Sequence, residues 1–196
     1  MEINNRWSIV KSIIQTAVGR SSPIYARTTT CQVISQSDAK AFLDSNHIQG
    51  STTRHSVRYG LFQDSRLVAV MTFAKHSKHQ WELVRYANII NHRVIGGARK
   101  MFSRFTKDHS PSSCVSFCDR RLFSGDLYIH LGFQFSHNSR PNYFYVHPSR
   151  YALESRLKYQ KHKLASVLPV FDPLLSEQDN MAANGFYRVE DCGNNA

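Results

Sequence analysis

The sequence lacks the features that mark several classes of protein. Its longest apolar runs, such as LVAVMTFA at 67–74, fall far short of the roughly 20 residues that a membrane helix needs. The first residues, MEINNRWSIVKS, contain no apolar core of the kind found in signal peptides, so we expect a cytoplasmic protein with no membrane partner. The four cysteines form no CxxC or CxxH pair, and we therefore expect reduced thiols and no metal site.

Acidic residues are also scarce relative to basic ones. Aspartate and glutamate number 14 against 25 lysines and arginines, which gives a formal net charge of +11. A charge balance of this kind is typical of proteins with an anionic partner, most often nucleic acid, and we expect DNA. The alternative is a soluble basic protein, because net charge bears on partners and solubility rather than on fold.

Familiar enzyme signatures are missing as well. The sequence has no Gly-x-Ser-x-Gly, no Walker loop and no His-Glu-x-x-His, and it shows no HNH or GIY-YIG nuclease signature. Any catalytic function must therefore depend on a less conspicuous pattern.

Hydrophobic periodicity predicts the main elements. Residues 7–18 predict a helix with Trp7, Val10, Ile14 and Val18 on its inner face, followed by a linker at 21–27. The runs VRYGLFQ and RLVAVMTFA, joined by Asp64-Ser65, predict a hairpin, and WELVRYANI predicts a third strand.

Further along, the segment after the adjacent glycines predicts a helix with Ala98, Met101, Phe102 and Phe105 on one face. SCVSFC and NYFYV predict strands, SGDLYIHLGF a short helix, and residues 149–164 a basic helix. Ser176 and Asp179 predict a capping box for a last short helix that ends at Gly185.

This order of elements predicts an α/β (α+β) protein with a mixed, mostly antiparallel sheet flanked by helices. We expect an N-terminal helix and linker at 1–30, a core at 31–147, and a basic helix with a C-terminal extension at 148–196, packed on the core. Both extensions are predicted to be helical.

The segment NHRVIGGARK, residues 91–100, is the most informative local pattern. Gly96 and Gly97 lie where a strand gives way to a helix, and the first amides of a helix lack internal partners. Without Cβ atoms in the way, an anion can approach those amides, with Arg93 and Arg99 adding positive charge. The alternative is that the glycines only permit close packing of helix against sheet.

The segment Arg93–Ala98 has the Arg/Gln-x-x-Gly-x-Gly/Ala form and resembles the pyrophosphate loop of GNAT acyltransferases. About thirty residues later, Leu127–Phe133 resembles a second GNAT signature, in which a tyrosine precedes the glycine of an LGF ending by four residues. The resemblance covers about residues 31–147 and implies a GNAT-like fold that binds acetyl-CoA or a related acyl-CoA. It assigns the cofactor to Arg93, Gly96, Gly97 and Ala98, and it makes Tyr128 the acid that protonates the departing thiolate.

A longer resemblance, from about Trp7 to Asn194, involves segments such as FLDSNHIQG, VIGGARKMF, VSFCDRRLFSGDLYIHLGF and DCGN. These are similar to a domain of phage proteins that are associated with homing endonucleases. The CDRR…GDLY segment also resembles Mom-type DNA-adenine modification proteins, which are GNAT-like themselves. The resemblance implies a phage protein in the host cytoplasm that acts on DNA, working with a separate nuclease or another phage protein. We expect the nuclease module to be missing from this chain.

The Mom-type resemblance implies roles for Asp119 and His47 at the substrate amine, and each residue has a simpler interpretation. Asp119 follows a strand, where it can orient or deprotonate an amine, or instead pair with Arg120 and Arg121. His47 lies at a predicted helix end, where a carbonyl can satisfy its ring. For Tyr128 the alternative is packing of the ring with an exposed hydroxyl.

Clusters of basic residues are candidates for contact with nucleic acid. They are Arg99, Lys100, Arg104, Arg120, Arg121, Arg156, Lys158 and Lys161. Three functional interpretations stay open: acyl-CoA-dependent modification of a DNA base, a non-catalytic DNA-recognition domain, and acetylation of a protein or small amine, which leaves the charge unexplained.

Overall fold

A computed structural model describes residues 6–77, 80–150 and 152–196. The chain forms two compact units. The larger comprises the described residues up to Phe117 together with Gly125–Ser136, and the smaller comprises Cys118–Ser124 and His137–Asn195.

The larger unit is built on a five-stranded sheet in the order β2-β3-β4-β5-β7. Its strands are β2 (Thr30–Val33), β3 (Val57–Gln63), β4 (Arg66–Lys75), β5 (Gln80–Asn88) and β7 (Ser113–Ser116). Neighbouring strands are antiparallel except for β5 and β7, which are parallel. The predicted mixed, mostly antiparallel sheet is therefore confirmed.

The predicted hairpin between β3 and β4 is also confirmed. Asp64 and Ser65 have φ angles of 47° and 66°, the left-handed conformation that a tight two-residue hairpin turn requires. The turn pairs Gln63 with Arg66 and brings the two strands into register.

Helices cover both faces of this sheet. On one face, helix α2 (Gln36–Asn46) buries Leu43 against a cluster that includes Val70. On the other face, helix α3 (Gly97–His109) buries Met101 and Phe105, and the Phe105 ring stacks on Phe73 with centroids 3.7 Å apart. The short helix α4 (Asp126–Leu131) packs against the same cluster as α3. Of the predicted inner face of α3, Ala98, Met101 and Phe105 are buried and Phe102 is half-buried.

The strands β5 and β7 pair along only part of their length. Their ladder joins Gln80–Leu83 to Ser113–Ser116, whereas β5 continues to Asn88 in its ladder with β4. The β4–β5 register shifts between Thr72 and Phe73, which leaves an extra residue on β5 after Leu83. Beyond Leu83 no described strand pairs with the β7-side edge of β5, and that edge is therefore open there.

The N-terminal segment differs from its prediction in two respects. Helix α1 (Trp7–Ala17) forms as predicted, but its buried residues are Ile9 and Ser12, whereas Trp7 and Ile14 are more than half exposed. The predicted linker instead contains strand β1 (Ser22–Tyr25), which pairs in parallel with β6 (His92–Ile95). Such a pairing cannot be read from local sequence because the partner lies some seventy residues away.

The smaller unit contains a three-stranded sheet with β9 (Tyr143–Val146) at its centre, between β10 (Leu153–Ser155) and β11 (Tyr187–Glu190). A second pairing joins β8 (Cys118–Asp119) to β12 (Asn194–Asn195).

The predicted basic helix over residues 149–164 is wrong. After β10 come two 3-10 turns, Arg156–Lys158 and Lys161–Lys163, and a single α-helical turn, α5 (Leu164–Val167); Tyr151 lies outside the described residues. The last helix, α6 (Glu177–Ala183), is confirmed, with the Asp179 amide donating to Ser176 Oγ at 3.1 Å. Among the helices of the described residues, none is both long and apolar enough to cross a membrane.

Candidate cofactor and acceptor site

Glycine is required at positions 96 and 97 for two different physical reasons. Gly96 is the N-cap of α3 and has a φ of 77°, a left-handed conformation that glycine adopts without strain. Gly97 is buried, and a Cβ on it would lie 2.7 Å from Val94 Cγ1 and 3.1 Å from Leu61 Cδ1. Close packing therefore explains Gly97, and backbone conformation explains Gly96.

The amides at the start of α3 are not used in backbone hydrogen bonds among the residues that the structure describes. In the described part of the chain, the N–H groups of Gly97, Ala98 and Arg99 have no backbone acceptor. The Ala98 N–H points at the hydroxyl of Tyr86, a residue in the open half of β5. The positive end of the α3 dipole thus lies beside the open edge of β5, and Arg93 is exposed on the strand that leads into it.

Tyr86 is a residue of this site that sequence reasoning missed. Its hydroxyl donates to Asn88 Oδ1 at 2.7 Å, and burial raises its pKa well above the ordinary value, against the smaller lowering effects of Asn88 and the Ala98 amide. Its position within a predicted strand gave no signal that its hydroxyl has a polar role.

His47 caps the end of α2 and is held as a neutral ring. Its backbone N–H donates to the Leu43 carbonyl at 2.8 Å, and its Nδ1 accepts from the Gln49 amide at 3.1 Å. Burial lowers the pKa of His47 to about 3, with the positive charges of Arg85 and Arg6 adding to the effect. Because Nδ1 is an acceptor, the proton of the neutral ring lies on Nε2 and is available for donation.

Tyr128 lies on α4, where its ring meets Phe133 edge to face with centroids 5.7 Å apart. Burial lowers the pKa of Arg85 on β5, and the phenol of Tyr128 has a smaller, opposite effect on it. The Tyr128 hydroxyl is therefore within electrostatic range of this guanidinium. The ring is half-buried, which fits the packing interpretation, while the proximity to Arg85 brings the hydroxyl to a polar region.

Arg85 has an electrostatic interaction with each of the two predicted catalytic residues of the larger unit. It influences the pKa of His47 and is itself influenced by Tyr128. Glu82, on the same strand, is 5% exposed and pairs with Arg54 at 2.6 Å. The sequence offers one signal for this polar group, which is the presence of charged residues within the strand-like run WELVRYA.

Asp119 belongs to the smaller unit. Its carboxylate accepts from the Arg121 amide at 3.0 Å and from Arg121 Nη2 at 2.6 Å, which matches the ion-pair interpretation. Arg120 donates to the Cys192 carbonyl at 3.2 Å. Of the three predicted catalytic residues, the structure therefore places His47 and Tyr128 in one unit and Asp119 in the other.

Most of the other basic residues predicted to bind nucleic acid have intramolecular contacts. Lys100 donates to the Ala26 carbonyl at 2.8 Å and to the Thr29 carbonyl, and Arg104 pairs with Asp108 at 2.7 Å.

In the smaller unit, Lys158 pairs with Glu154, and the Arg156 guanidinium lies 5.2 Å from the Tyr143 ring. The side chains of Arg99 and Lys161 are exposed and have no hydrogen-bond or ion-pair partner within the described ranges. A basic residue that already has an intramolecular partner must give up that contact before it can bind a phosphate.

No family model and no curated protein matches this sequence. Solved structures of acetyltransferases resemble it in fold. The ribosomal-protein-S18-alanine N-acetyltransferase from Escherichia coli is 13% identical, with a TM-score of 0.46 and coverage of 64% of this chain and 88% of that chain. A Bacillus subtilis acetyltransferase in complex with CoA is 11% identical, with a TM-score of 0.46 and coverage of 83% and 97%.

A GNAT family acetyltransferase from Elizabethkingia anophelis with acetyl-CoA bound is 13% identical, with a TM-score of 0.42 and coverage of 59% and 80%. Likeness at these identities and TM-scores concerns chain topology and says nothing about activity.

Proposed function

We propose that the larger unit binds an acyl-CoA and that the protein transfers the acyl group to an amine of a DNA base. One observation carries the proposal. The start of α3, with amides that lack backbone acceptors, opens beside the edge of β5 that β7 leaves unpaired. Helix N-termini of this kind favour phosphate groups, and Arg93 adds charge beside it.

The residues present fit such a cofactor. The amides of Gly97 and Arg99 and the side chain of Arg93 would hold the pyrophosphate, since the Ala98 amide already faces the Tyr86 hydroxyl. The open edge of β5 presents backbone groups to which an extended amide-containing arm can add in the manner of a strand. An acyl-CoA supplies a thioester, whose carbonyl carbon is the electrophile for an amine.

The side chains near Arg85 have complementary roles in this proposal. Tyr128 carries a hydroxyl proton that can pass to a departing thiolate. His47, neutral with its proton on Nε2, donates a hydrogen bond to the acceptor and is a poor base because of its low pKa. The carboxylates of Asp119 and Glu82 are each paired with an arginine, and of the two only Glu82 belongs to the larger unit, so Glu82 is the candidate acceptor for the proton of the amine.

DNA as the acceptor is supported by the net charge of +11. The exocyclic amine of a base is out of reach within a duplex, so the base must be flipped out of the stack or lie in a single strand. The competing function is DNA recognition without catalysis, which the same charge would support.

The test is a calorimetric titration of acetyl-CoA into the protein, with and without a DNA duplex. Wild type should bind, and Arg93→Glu should bind at least about tenfold more weakly because a favourable charge becomes repulsive near the pyrophosphate. Arg66→Glu is the matched control: it makes the same charge change at an exposed position on β4 and should bind like wild type.

Mass spectrometry of nucleosides from treated DNA then reports any acylated base. Binding by wild type and Arg66→Glu but not by Arg93→Glu, together with an acylated nucleoside, would support the proposal. Absence of acetyl-CoA binding with retained DNA binding would reject it in favour of DNA recognition without catalysis.

A further inference from the structure

Three side chains form a row across the central strands of the larger unit. Arg58 on β3 is the cross-strand partner of Thr72 on β4, and Thr72 is the partner of Arg85 on β5. Directly paired residues project to the same face of a sheet, so a hydroxyl lies between two guanidinium-bearing side chains. By strand alternation this is also the face on which Val70 meets α2.

The hydroxyl of Thr72 is buried and unsatisfied. The residue is 0% exposed, and its Oγ1 has no hydrogen-bond partner among the described residues. Buried polar atoms without partners are rare in folded proteins because each retains the cost of losing its water. Thr72 therefore presents a hydrogen-bond donor that lacks an acceptor.

The two arginines of the row also lack a carboxylate partner in the part of the chain that the structure describes. Arg85 donates to the Val84 carbonyl at 2.8 Å and to the Gly50 carbonyl at 3.3 Å, and Arg58 donates to the Ile34 carbonyl at 3.4 Å. The nearby Glu82 already pairs with Arg54. A half-buried cation that is paired only with dipoles is less stable than one paired with an anion.

The surroundings of the row are positive. Burial lowers the pKa of His55, and the charges of Arg58 and Arg85 lower it further. Burial likewise lowers the pKa of His47 to about 3, with added effects from Arg85 and Arg6. The histidines therefore stay neutral and add no positive charge to the row. Burial lowers the pKa of Arg85, and the carboxylate of Glu82 offsets part of that effect.

The segment between α2 and β3 is attached to the row by long hydrogen bonds. Arg85 Nε lies 3.3 Å from the Gly50 carbonyl, and Arg58 Nη1 lies 3.5 Å from the His55 carbonyl. Bonds at these lengths are weak. An anion that reaches the row can replace these two bonds with shorter, charge-assisted ones.

We propose that Arg58, Thr72 and Arg85 form an oxyanion-binding site that holds a phosphate group of the acceptor nucleic acid. Two guanidinium groups and a hydroxyl donor match the acceptor-only oxygens of a phosphate, and the high positive charge of the chain favours a polyanion as its source. The assignment to nucleic acid rests on the proposed function, whereas the binding of an oxyanion does not.

The test measures the shift in Tm of the full chain with inorganic phosphate and with deoxyadenosine 5′-monophosphate, at constant ionic strength set by sodium chloride. Both ligands should raise the Tm of wild type. Thr72→Val should weaken their apparent affinity roughly tenfold, because it removes one hydrogen bond to a charged group. Thr30→Val, at an exposed position on β2, is the matched control and should respond like wild type.

Thr72→Val is also expected to fold, since it removes an unpaired buried hydroxyl; without ligand its Tm should equal or exceed that of wild type. Arg85→Lys is the second variant, which keeps the charge but loses the planar fork, and it should also weaken binding. Phosphate shifts that are equal in all four proteins would overturn the site, and so would the absence of any shift with phosphate in wild type.

The outcome is separable from that of the proposed function. Arg93→Glu should keep the phosphate response, and Thr72→Val should keep acetyl-CoA binding. Phosphate binding that depends on Thr72, in a protein that does not bind acetyl-CoA, would uphold the oxyanion site and reject the acyltransferase. Acetyl-CoA binding without any response to phosphate would support the acyltransferase and reject the oxyanion site.

Discussion

At the scale of single residues, the polar side chains inside the larger unit hold the functional information. Thr72, Glu82 and Arg85 lie within strands of the central sheet and are buried or half-buried. At such positions a polar group without a suitable partner destabilises the folded protein. Their chemistry is readable from the sequence, but their convergence on one face is not.

His47 provides a pH prediction. The ordinary pKa of histidine is 6.5, and in the folded protein burial lowers the pKa of His47 to about 3. Between these values the unfolded chain binds a proton that the folded protein does not, so stability is complete above pH 6.5 and falls as pH decreases. The loss from this residue is at most about 1.4 kcal/mol per pH unit.

The measurement is the free energy of unfolding in urea at pH 7 and pH 5, above the range in which most carboxylates titrate. His47→Asn keeps an acceptor near the position of Nδ1 but cannot be protonated, so it should lose less stability than wild type over this interval. His55 contributes in the same direction to both proteins. Identical losses in the two proteins would contradict the low pKa of His47.

At the scale of elements, the junction between β6 and α3 combines two requirements. Gly96 supplies a left-handed residue at the N-cap, and Gly97 lets the helix approach Val94 and Leu61. The junction is therefore a packing feature in which the first amides of α3 have no backbone acceptor among the described residues, so packing and anion binding are compatible there.

Gly97→Ala tests the packing part. The new Cβ would lie 2.7 Å from Val94 Cγ1, so neighbouring side chains must shift, and we expect a loss of about 1–3 kcal/mol in the free energy of unfolding. Ser103→Ala, on the exposed face of the same helix, is the control and should be neutral or slightly stabilising. A Gly97→Ala protein as stable as wild type would contradict the packing role, and bulkier residues at this position are unsuitable for testing cofactor binding.

At the scale of the whole molecule, the net charge of +11 is the dominant property. Several of its arginines and lysines are tied to acceptors within their own unit, as in the Arg104–Asp108 and Arg121–Asp119 pairs. The net charge thus remains available for long-range attraction of a polyanion, whereas the basic side chains in these pairs are not free to contact its phosphates directly.

Salt dependence tests the DNA interaction. If about six phosphates are neutralised, the logarithm of the DNA-binding constant should fall with the logarithm of salt concentration at a slope near −5. Arg99→Gln, which removes an exposed cation at the start of α3, should make the slope shallower by about one. Lys11→Gln, on the exposed side of α1, is a control of equal charge change, and equal slopes for Arg99→Gln and wild type would exclude Arg99 from the contact.

The elements that were predicted correctly are those specified by local patterns. The Asp64-Ser65 hairpin, α3 with its buried Met101 and Phe105, and the Ser176 cap all depend on neighbours within a few residues. The errors at 22–25 and 149–164 occurred where strand pairing decided the conformation, with the distant β6 in one case and with the preceding strand β9 in the other. In the second error, the segment predicted as one helix instead forms a strand, turns and a single helical turn.

The sequence by itself determined the mixed sheet with its flanking helices, the glycine junction before α3, and the excess of positive charge, because periodicity, turn chemistry and composition are local properties. Only the tertiary structure decided that Gly97 is a packing residue, that Asp119 is tied to Arg121, and that Arg58, Thr72 and Arg85 form one row. Strand register and burial depend on contacts between residues far apart in the chain, and they determine which polar groups meet and which are left without a partner.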